Sequence, residues 1–254
     1  MNRLPTDHLN SPFLAGLTQP EVHAVLSAAS RHYYLPKTLV TEEGEIANYL
    51  FLLVSGRARY FFLTEGGRKV ILHWLLPGET IGMMALLSEP MPYQVSSETV
   101  RQTSMLVWER GTIRSLLGRY PKLLDNALFV AAQYLLLYRL GYTALVCDSA
   151  KERLANVLGD LAKIMGRPLE RGVELNVTNE ELASAANVTP FTASRLLADW
   201  QRKGLISKTR SRIIVFSPTK FISHAPSTSE FGMVWGLRPS FFTAEKETTA
   251  GRRR

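Results

Sequence analysis

The sequence predicts an α+β fold: an amino-terminal antiparallel β-roll of the jelly-roll kind, a long helix, and a carboxyl-terminal winged helix-turn-helix. Three observations carry this. Glycines recur at Gly44, Gly56, Gly66-Gly67 and Gly78 with short aliphatic and aromatic runs between them, the spacing of turns between short strands. An apolar stripe with helical periodicity runs over 123–145. Residues 177–216 then hold two capped helices, a tight turn and a basic hairpin in the order a winged helix-turn-helix needs.

Taken in chain order, 18–29 has the apolar spacing of a helix, and strands are expected at 49–54, 59–63 and 70–76. Thr64-Glu65-Gly66-Gly67 reads as a hairpin turn, with glycine supplying a positive φ. After Pro77-Gly78-Glu79 the strands continue through 93–100 and 104–108, completing a sensor roll over 12–122. The helix of 123–147 places Leu124, Leu128, Ala131, Leu135, Tyr138 and Leu145 on one stripe, with Ala127, Tyr134, Gly141 and Tyr142 beside it. This stripe exceeds what one face of a small barrel covers. A parallel helix pair in a homodimer explains it by the seam logic of coiled coils; burial within its own monomer is the other reading. Ser149 with Glu152 forms a capping box, so a new helix starts there and ends near Gly166, with Asp148 as a hinge.

The DNA-binding domain is expected over 148–217. Thr178 and Glu181 form a second capping box, and Leu182, Ala183 and Ala186 give the first helix its apolar face. Asn187-Val188 is the turn, since asparagine takes the left-handed conformation at little cost. Thr189 is the N-cap of the second helix, with Pro190 at its first position and Gly204 past its end. Leu196, Leu197 and Trp200 face inward, which leaves Phe191, Thr192, Ser194 and Arg195 to project from the amino-terminal half. Such residues of a recognition helix reach base edges in the major groove. Arg195 suits guanine, whose O6 and N7 a guanidinium bonds together. Ser194 and Thr192 suit bases or phosphates, and Thr189 is expected at the DNA beside them. Phe191 suits a thymine methyl group or packs on the first helix. Lys203, Lys208, Arg210 and Arg212, the last three in a candidate wing, suit phosphates.

Composition agrees with a nucleic-acid partner. The formal net charge is +8, and it divides as +1 over 1–148, +4 over 149–217 and +3 over 218–254, so the excess lies towards the carboxyl terminus. An apolar content of 46% with 20% charged residues is that of an ordinary globular chain. No membrane partner is expected: Asp125, Asn126, Gln133 and Arg139 interrupt 123–147, the nearest approach to a bilayer span. The first residues lack the basic-then-apolar order of a signal peptide, which points to the cytoplasm. The single Cys147 excludes an intrachain disulfide and an iron–sulfur cluster held by one chain.

A roll with Gly44, Gly56 and Pro77-Gly78-Glu79, followed by a long helix and a helix-turn-helix containing Ser194-Arg195-Leu196-Leu197, resembles the CRP/FNR superfamily of bacterial transcription regulators over 12–217. The resemblance implies a roll of the cyclic-nucleotide-binding kind that senses an effector, a homodimer joined through 123–145, and RNA polymerase as a further partner. It places Ser194 and Arg195 on base-reading positions, with Phe191 where the family carries a cytosine-reading glutamate. The family's cyclic-nucleotide pocket corresponds to Gly82-Met83-Met84-Ala85-Leu86 and to Tyr93-Gln94. There Met83 stands for the ribose-binding glutamate, and no arginine occurs between Arg68 and Arg101 to pair with the phosphate. Cyclic AMP is therefore not the expected effector; a larger apolar ligand, or none, is.

Other chemistry has less support. A metal-dependent cupin would need clustered ligands, and of the five histidines only His73 falls in the expected strands; it reads as a core residue, with haem ligation by it or Met83 as the alternative. No cofactor, metal or catalytic residue is expected. Cys147 reads as a small buried side chain, or as an oxidant sensor if exposed. Residues 218–254 lack periodicity and read as a mobile tail. A non-regulatory alternative is a ligand-binding or enzymatic roll that the basic domain merely tethers to nucleic acid.

Overall fold

The computed structural model describes residues 10–209 and 211–221. A 3-10 turn at Pro12–Leu14 leads to helix α1, Gln19–Ser27, whose first turn is closed by Glu21 accepting from the Thr18 backbone N–H at 2.8 Å. The roll then runs through β1 (Ser30–Tyr34), β2 (Leu39–Thr41), β3 (Tyr49–Ser55), β4 (Ala58–Leu63), β5 (Lys69–Leu75), β6 (Thr80–Ile81), β7 (Ser96–Thr99) and β8 (Thr103–Glu109). Strands β1-β8-β3-β6 form one antiparallel sheet and β2-β7-β4-β5 the other. Phe51, Leu53, Tyr60, Leu75, Ile81 and Met105, drawn from both sheets, share one buried cluster. Glycine is required at Gly56, where φ is +99° and an added Cβ would run into Gln102 and Thr103. The expected strand over 93–100 shortens to β7, because the Tyr93 backbone pairs with Gly44 and Glu45 in a loop instead.

Helix α2, Arg110–Arg119, leads into α3, Lys122–Cys147. Leu123, Ala127 and Tyr134 turn its inner face onto the roll, Leu137 is buried further along, and Asn126 Nδ2 donates to the carbonyls of Phe13 (2.9 Å) and Ala15 (2.8 Å). Its outer stripe is bare: Leu124, Leu128, Ala131, Tyr138 and Leu145 are exposed, and Leu135 keeps 72% of its surface. Burial of the stripe within this chain does not occur. Two expectations about this helix need correction. By length and composition alone, its 26 residues and a mean hydropathy of 1.3 in its most apolar stretch reach what a bilayer crossing requires, since Asp125 and Asn126 sit at its start and the run after them carries Gln133 and a single charge, Arg139. Cys147, its last residue, is exposed rather than buried, because the helix ends there in solvent.

After Asp148 the chain forms α4 (Ala150–Met165), a hairpin β9 (Arg167–Leu169) and β10 (Gly172–Leu175), α5 (Asn179–Ala185), α6 (Pro190–Arg202) and strands β11 (Ile206–Lys208) and β12 (Ile213–Val215). The order β11-β12-β10-β9 makes the wing part of a larger antiparallel sheet than the sequence indicated. Leu154, Leu158, Leu161, Leu182, Leu197 and Trp200 form its core. That core does not end at 217 as expected. Pro218–Phe221 is a 3-10 turn, and Phe221, 3% exposed, meets the Trp200 ring edge-on at 5.0 Å. The remainder of the expected mobile tail lies outside the described residues.

Candidate nucleic-acid interface and effector site

The helix-turn-helix is built from local chemistry. Thr178 accepts from Glu181 N while Glu181 Oε2 accepts from Thr178 N, which fixes the start of α5. Asn187 has φ +48°, the left-handed turn that separates the helices. Thr189 Oγ1 accepts from Thr192 N at 3.1 Å, a cap worth about 1 kcal/mol, and Pro190 opens α6. Ala193, Leu197 and Trp200 then bury one face of α6, so that its other face is presented to solvent.

That outer face carries Phe191, Ser194 and Arg195. Phe191 is 77% exposed, so it is not packed on α5. Ser194 Oγ accepts from Asn179 Nδ2 at 2.8 Å, which holds the hydroxyl in place and leaves its proton to donate. Thr192 is only partly exposed, and its hydroxyl bonds with that of Thr189 at 2.9 Å; both belong to the cap before they belong to a ligand. Of the expected phosphate contacts, Lys203 pairs with Asp199 at 2.7 Å, and Arg212 Nε lies 3.4 Å from Glu174. The Lys203 pair is exposed and contributes little, so it exchanges readily for phosphate, whereas Glu174 is buried and holds Arg212 more firmly. Lys208 lies on β11, half-buried, and Arg210 lies outside the described residues.

A second group of contacts, invisible in the sequence, docks α5 on the β4–β5 hairpin. Arg59 sits between Glu98 and Glu181 at 2.7 Å from each, and Lys69 Nζ reaches Glu98 at 2.7 Å. Burial alone would raise the Glu98 carboxyl, but hydrogen bonds from Lys69 and Arg59 together hold it below its ordinary range. Ser184 Oγ donates to the Lys69 carbonyl (2.8 Å) and accepts from Ile71 N (2.9 Å). The contacts that reach α5 join residues more than a hundred positions apart, so no spacing rule could have paired them.

The residues expected to form an effector pocket make up a corner of the roll. Gly82 has φ +85°, and an added Cβ would meet Tyr49 O at 2.5 Å. Met83 begins a 3-10 turn and its Sδ accepts from Thr80 Oγ1 at 3.2 Å, while Ala85, Leu86 and Tyr93 are buried in the roll's helix-side core. Tyr93 OH donates to Tyr49 O at 3.1 Å, Gln94 Nε2 donates to Pro92 O at 3.0 Å, and Met84 is half-buried. His73, also buried, bonds with Glu79 at 2.9 Å. A cavity of about 400 Å³ lies elsewhere, between the β4–β5 hairpin, the carboxyl-terminal half of α3, α4 and the end of α5. None of Gly82, Met83, Met84, Ala85, Leu86, Tyr93 and Gln94 lines it.

Comparisons with known proteins agree with this architecture. The cyclic nucleotide-binding domain family model matches residues 31–120, and the Crp-like helix-turn-helix domain model matches 152–221. The chain is 30% identical over 196 residues to the Cyclic AMP receptor protein of Thermus thermophilus, covering 77% of this chain and 88% of that protein. It is 25% identical over 213 residues to the Transcriptional activatory protein AadR of Rhodopseudomonas palustris, covering 82% and 87%. Among solved structures, the c-di-GMP responsive global regulator CLP of Xanthomonas campestris shares the fold with a TM-score of 0.72 at 21% identity, covering 79% of this chain and all of that one. FixK2 of Bradyrhizobium japonicum does so with a TM-score of 0.68 at 20% identity, covering 78% and 99%. With a roll, a long helix and a Crp-like helix-turn-helix in this order, the chain belongs to the CRP/FNR superfamily of transcription regulators.

Proposed function

We propose that the protein is a homodimeric, sequence-specific DNA-binding regulator of transcription that works in the cytoplasm with RNA polymerase, needs no metal or cofactor, and answers to an effector other than cyclic AMP. The exposed amino-terminal face of α6 carries this reading: Phe191, Ser194 and Arg195 stand in solvent on a helix whose opposite face is buried. Arg195 reads guanine, Ser194 and Thr192 contact bases or phosphates, and Phe191 meets a thymine methyl group; Lys203, Lys208, Arg210 and Arg212 hold phosphates. The bare stripe of α3 supports the dimer. A bilayer is a poor occupant for that stripe, since the same helix packs Leu123, Ala127 and Tyr134 against its own roll. A two-fold protein then reads a palindrome with half-sites about 34 Å apart. Against cyclic AMP stand Met83, bonded to Thr80, and the lack of any arginine between Arg68 and Arg101, although several relatives are named cyclic AMP receptors or cAMP-activated regulators.

Selection of bound duplexes from a random pool tests the reading. Arg195→Ala should cost about 1–3 kcal/mol and relax one position of each half-site, whereas Lys208→Ala should weaken all sequences alike. An unchanged preference in Arg195→Ala removes the residue from base reading. Cyclic AMP should leave the affinity unchanged at fixed salt, and a rise would restore it as the effector.

A further inference from the structure

The cavity beside α5 has features that the fold itself does not use. Its wall is mostly aliphatic and aromatic, with Leu72 from β5, Leu140 from α3 and Val157 from α4. Arg68 and Arg153 also reach that wall but are engaged, Arg68 by Asn187 Oδ1 and Arg153 by the carbonyls of Asp148, Ala186 and Asn187. Two oxygen acceptors stand in it one helical turn apart on α4. Asn156 Oδ1 is buried with no hydrogen-bond partner, and the carboxyl of Asp160, a residue 8% exposed, receives no hydrogen bond from a described residue. A buried acceptor left as Asn156 Oδ1 is costs on the order of 1–3 kcal/mol, a cost that a donor from outside would relieve. Gly141, also in the wall, sits inside a long helix, where alanine is favoured by about 1 kcal/mol. A Cβ there would meet nothing within 4 Å, so the chain's own packing does not require the glycine.

We propose that this cavity binds a small amphipathic molecule, with an apolar body lying along Leu140 and Gly141 and a hydrogen-bond-donating head meeting Asp160 and Asn156. Its size is that of small-molecule sites, and its mix of apolar wall with few polar groups is theirs too. A second copy of the chain is not the occupant. At about 100° per residue, Leu137, Gly141 and Ala144 lie roughly 120–180° around α3 from the Leu124–Leu128–Leu135 line, while Tyr138 and Leu145 of the stripe border the cavity, so a partner helix on the stripe closes that side of the cavity and leaves its interior free. Burial raises the Asp160 carboxyl to about 7, with Lys163 opposing, which lets the group meet either a neutral or a cationic donor. The occupant touches both the hairpin and the end of α5, where Arg68 Nη2 bonds Asn187 Oδ1 at 3.3 Å. Occupancy therefore biases how the helix-turn-helix sits on the roll.

The proposal rests on reading the chain as an effector-responsive regulator, and its test separates the two. Calorimetric titration of the full chain, without DNA, uses octylamine, 1-octanol and octanoate as probes. The amine and the alcohol should bind, with octanoate at least tenfold weaker. Gly141→Phe, which places a ring in the cavity and removes a helix glycine, should keep the thermal stability and abolish binding of all three. Asp160→Asn should weaken octylamine at least tenfold and spare octanol. Absence of binding by the wild type, octanoate binding as well as the amine, or wild-type binding by a folded Gly141→Phe would each overturn the proposal. Sequence-selective DNA binding is scored separately on the ligand-free protein, so its failure counts against the regulator reading and not against the cavity.

Discussion

A carboxyl group buried among apolar side chains holds its proton longer than one in water, and Asp160 is such a group. Its pKa is pushed up to about 7 by burial, with the Lys163 charge pulling it back. The folded value exceeds the unfolded one near 4, so the folded state binds the proton more tightly and loses stability as pH rises from about 4 towards 7. Asp160→Asn should thus raise the melting temperature more at pH 8 than at pH 5, by the equivalent of a few kcal/mol. Equal gains at both pH values would show that the carboxyl is better solvated than its burial indicates. Nothing around Asp160 in the sequence announced this, because burial of one residue is decided by elements far away. Thr178, Glu181, Asn187, Thr189 and Pro190 were legible for the opposite reason: their hydrogen bonds close within three residues.

Helix α3 was legible as an element but not in its anchoring. Its apolar period announced a stripe, and the stripe is bare in a single chain. The same period could not reveal that Asn126, which looked like an interruption, ties the helix to the carbonyls of Phe13 and Ala15. With Leu128 64% and Leu135 72% exposed, a charge at either position costs the lone chain little and opposes a helix-to-helix seam. Leu135→Asp should shift the protein from dimer to monomer in sedimentation while its circular dichroism stays unchanged. A dimer that persists in Leu135→Asp would place the interface off this stripe.

In the molecule as a whole, the arrangement of the two halves depends on the hairpin that carries Arg59. The roll was legible from its glycines and the DNA-binding domain from its caps, whereas their junction was not, since Arg59, Lys69 and Ser184 follow no motif. Arg59→Met leaves Glu181 without its cation and Glu98 with Lys69 alone. Amide exchange in α5 should then accelerate by the equivalent of about 1–3 kcal/mol, with β3 and β8 still protected. Uniform acceleration would mean that Arg59 supports the roll itself. Acid should act in the same place. Glu98 is held below its ordinary range, so the stability that it contributes is present above the unfolded value and is lost as pH falls through the folded one.

Ile71 and Trp74 belong to the roll by sequence, yet they lie in the buried cluster of Leu158, Leu197 and Trp200. The chain therefore has no clean seam at which it can be cut. A chimaera that grafts 149–221 onto another roll strips an isoleucine and a tryptophan from that cluster and leaves apolar surface on α5 facing water. Heat should likewise melt both halves in one transition, because neither can open without uncovering side chains of the other. Exchange of parts between relatives is consequently constrained: a new recognition helix can be installed within α6, but a new DNA-binding domain has to arrive with the strand that it packs against.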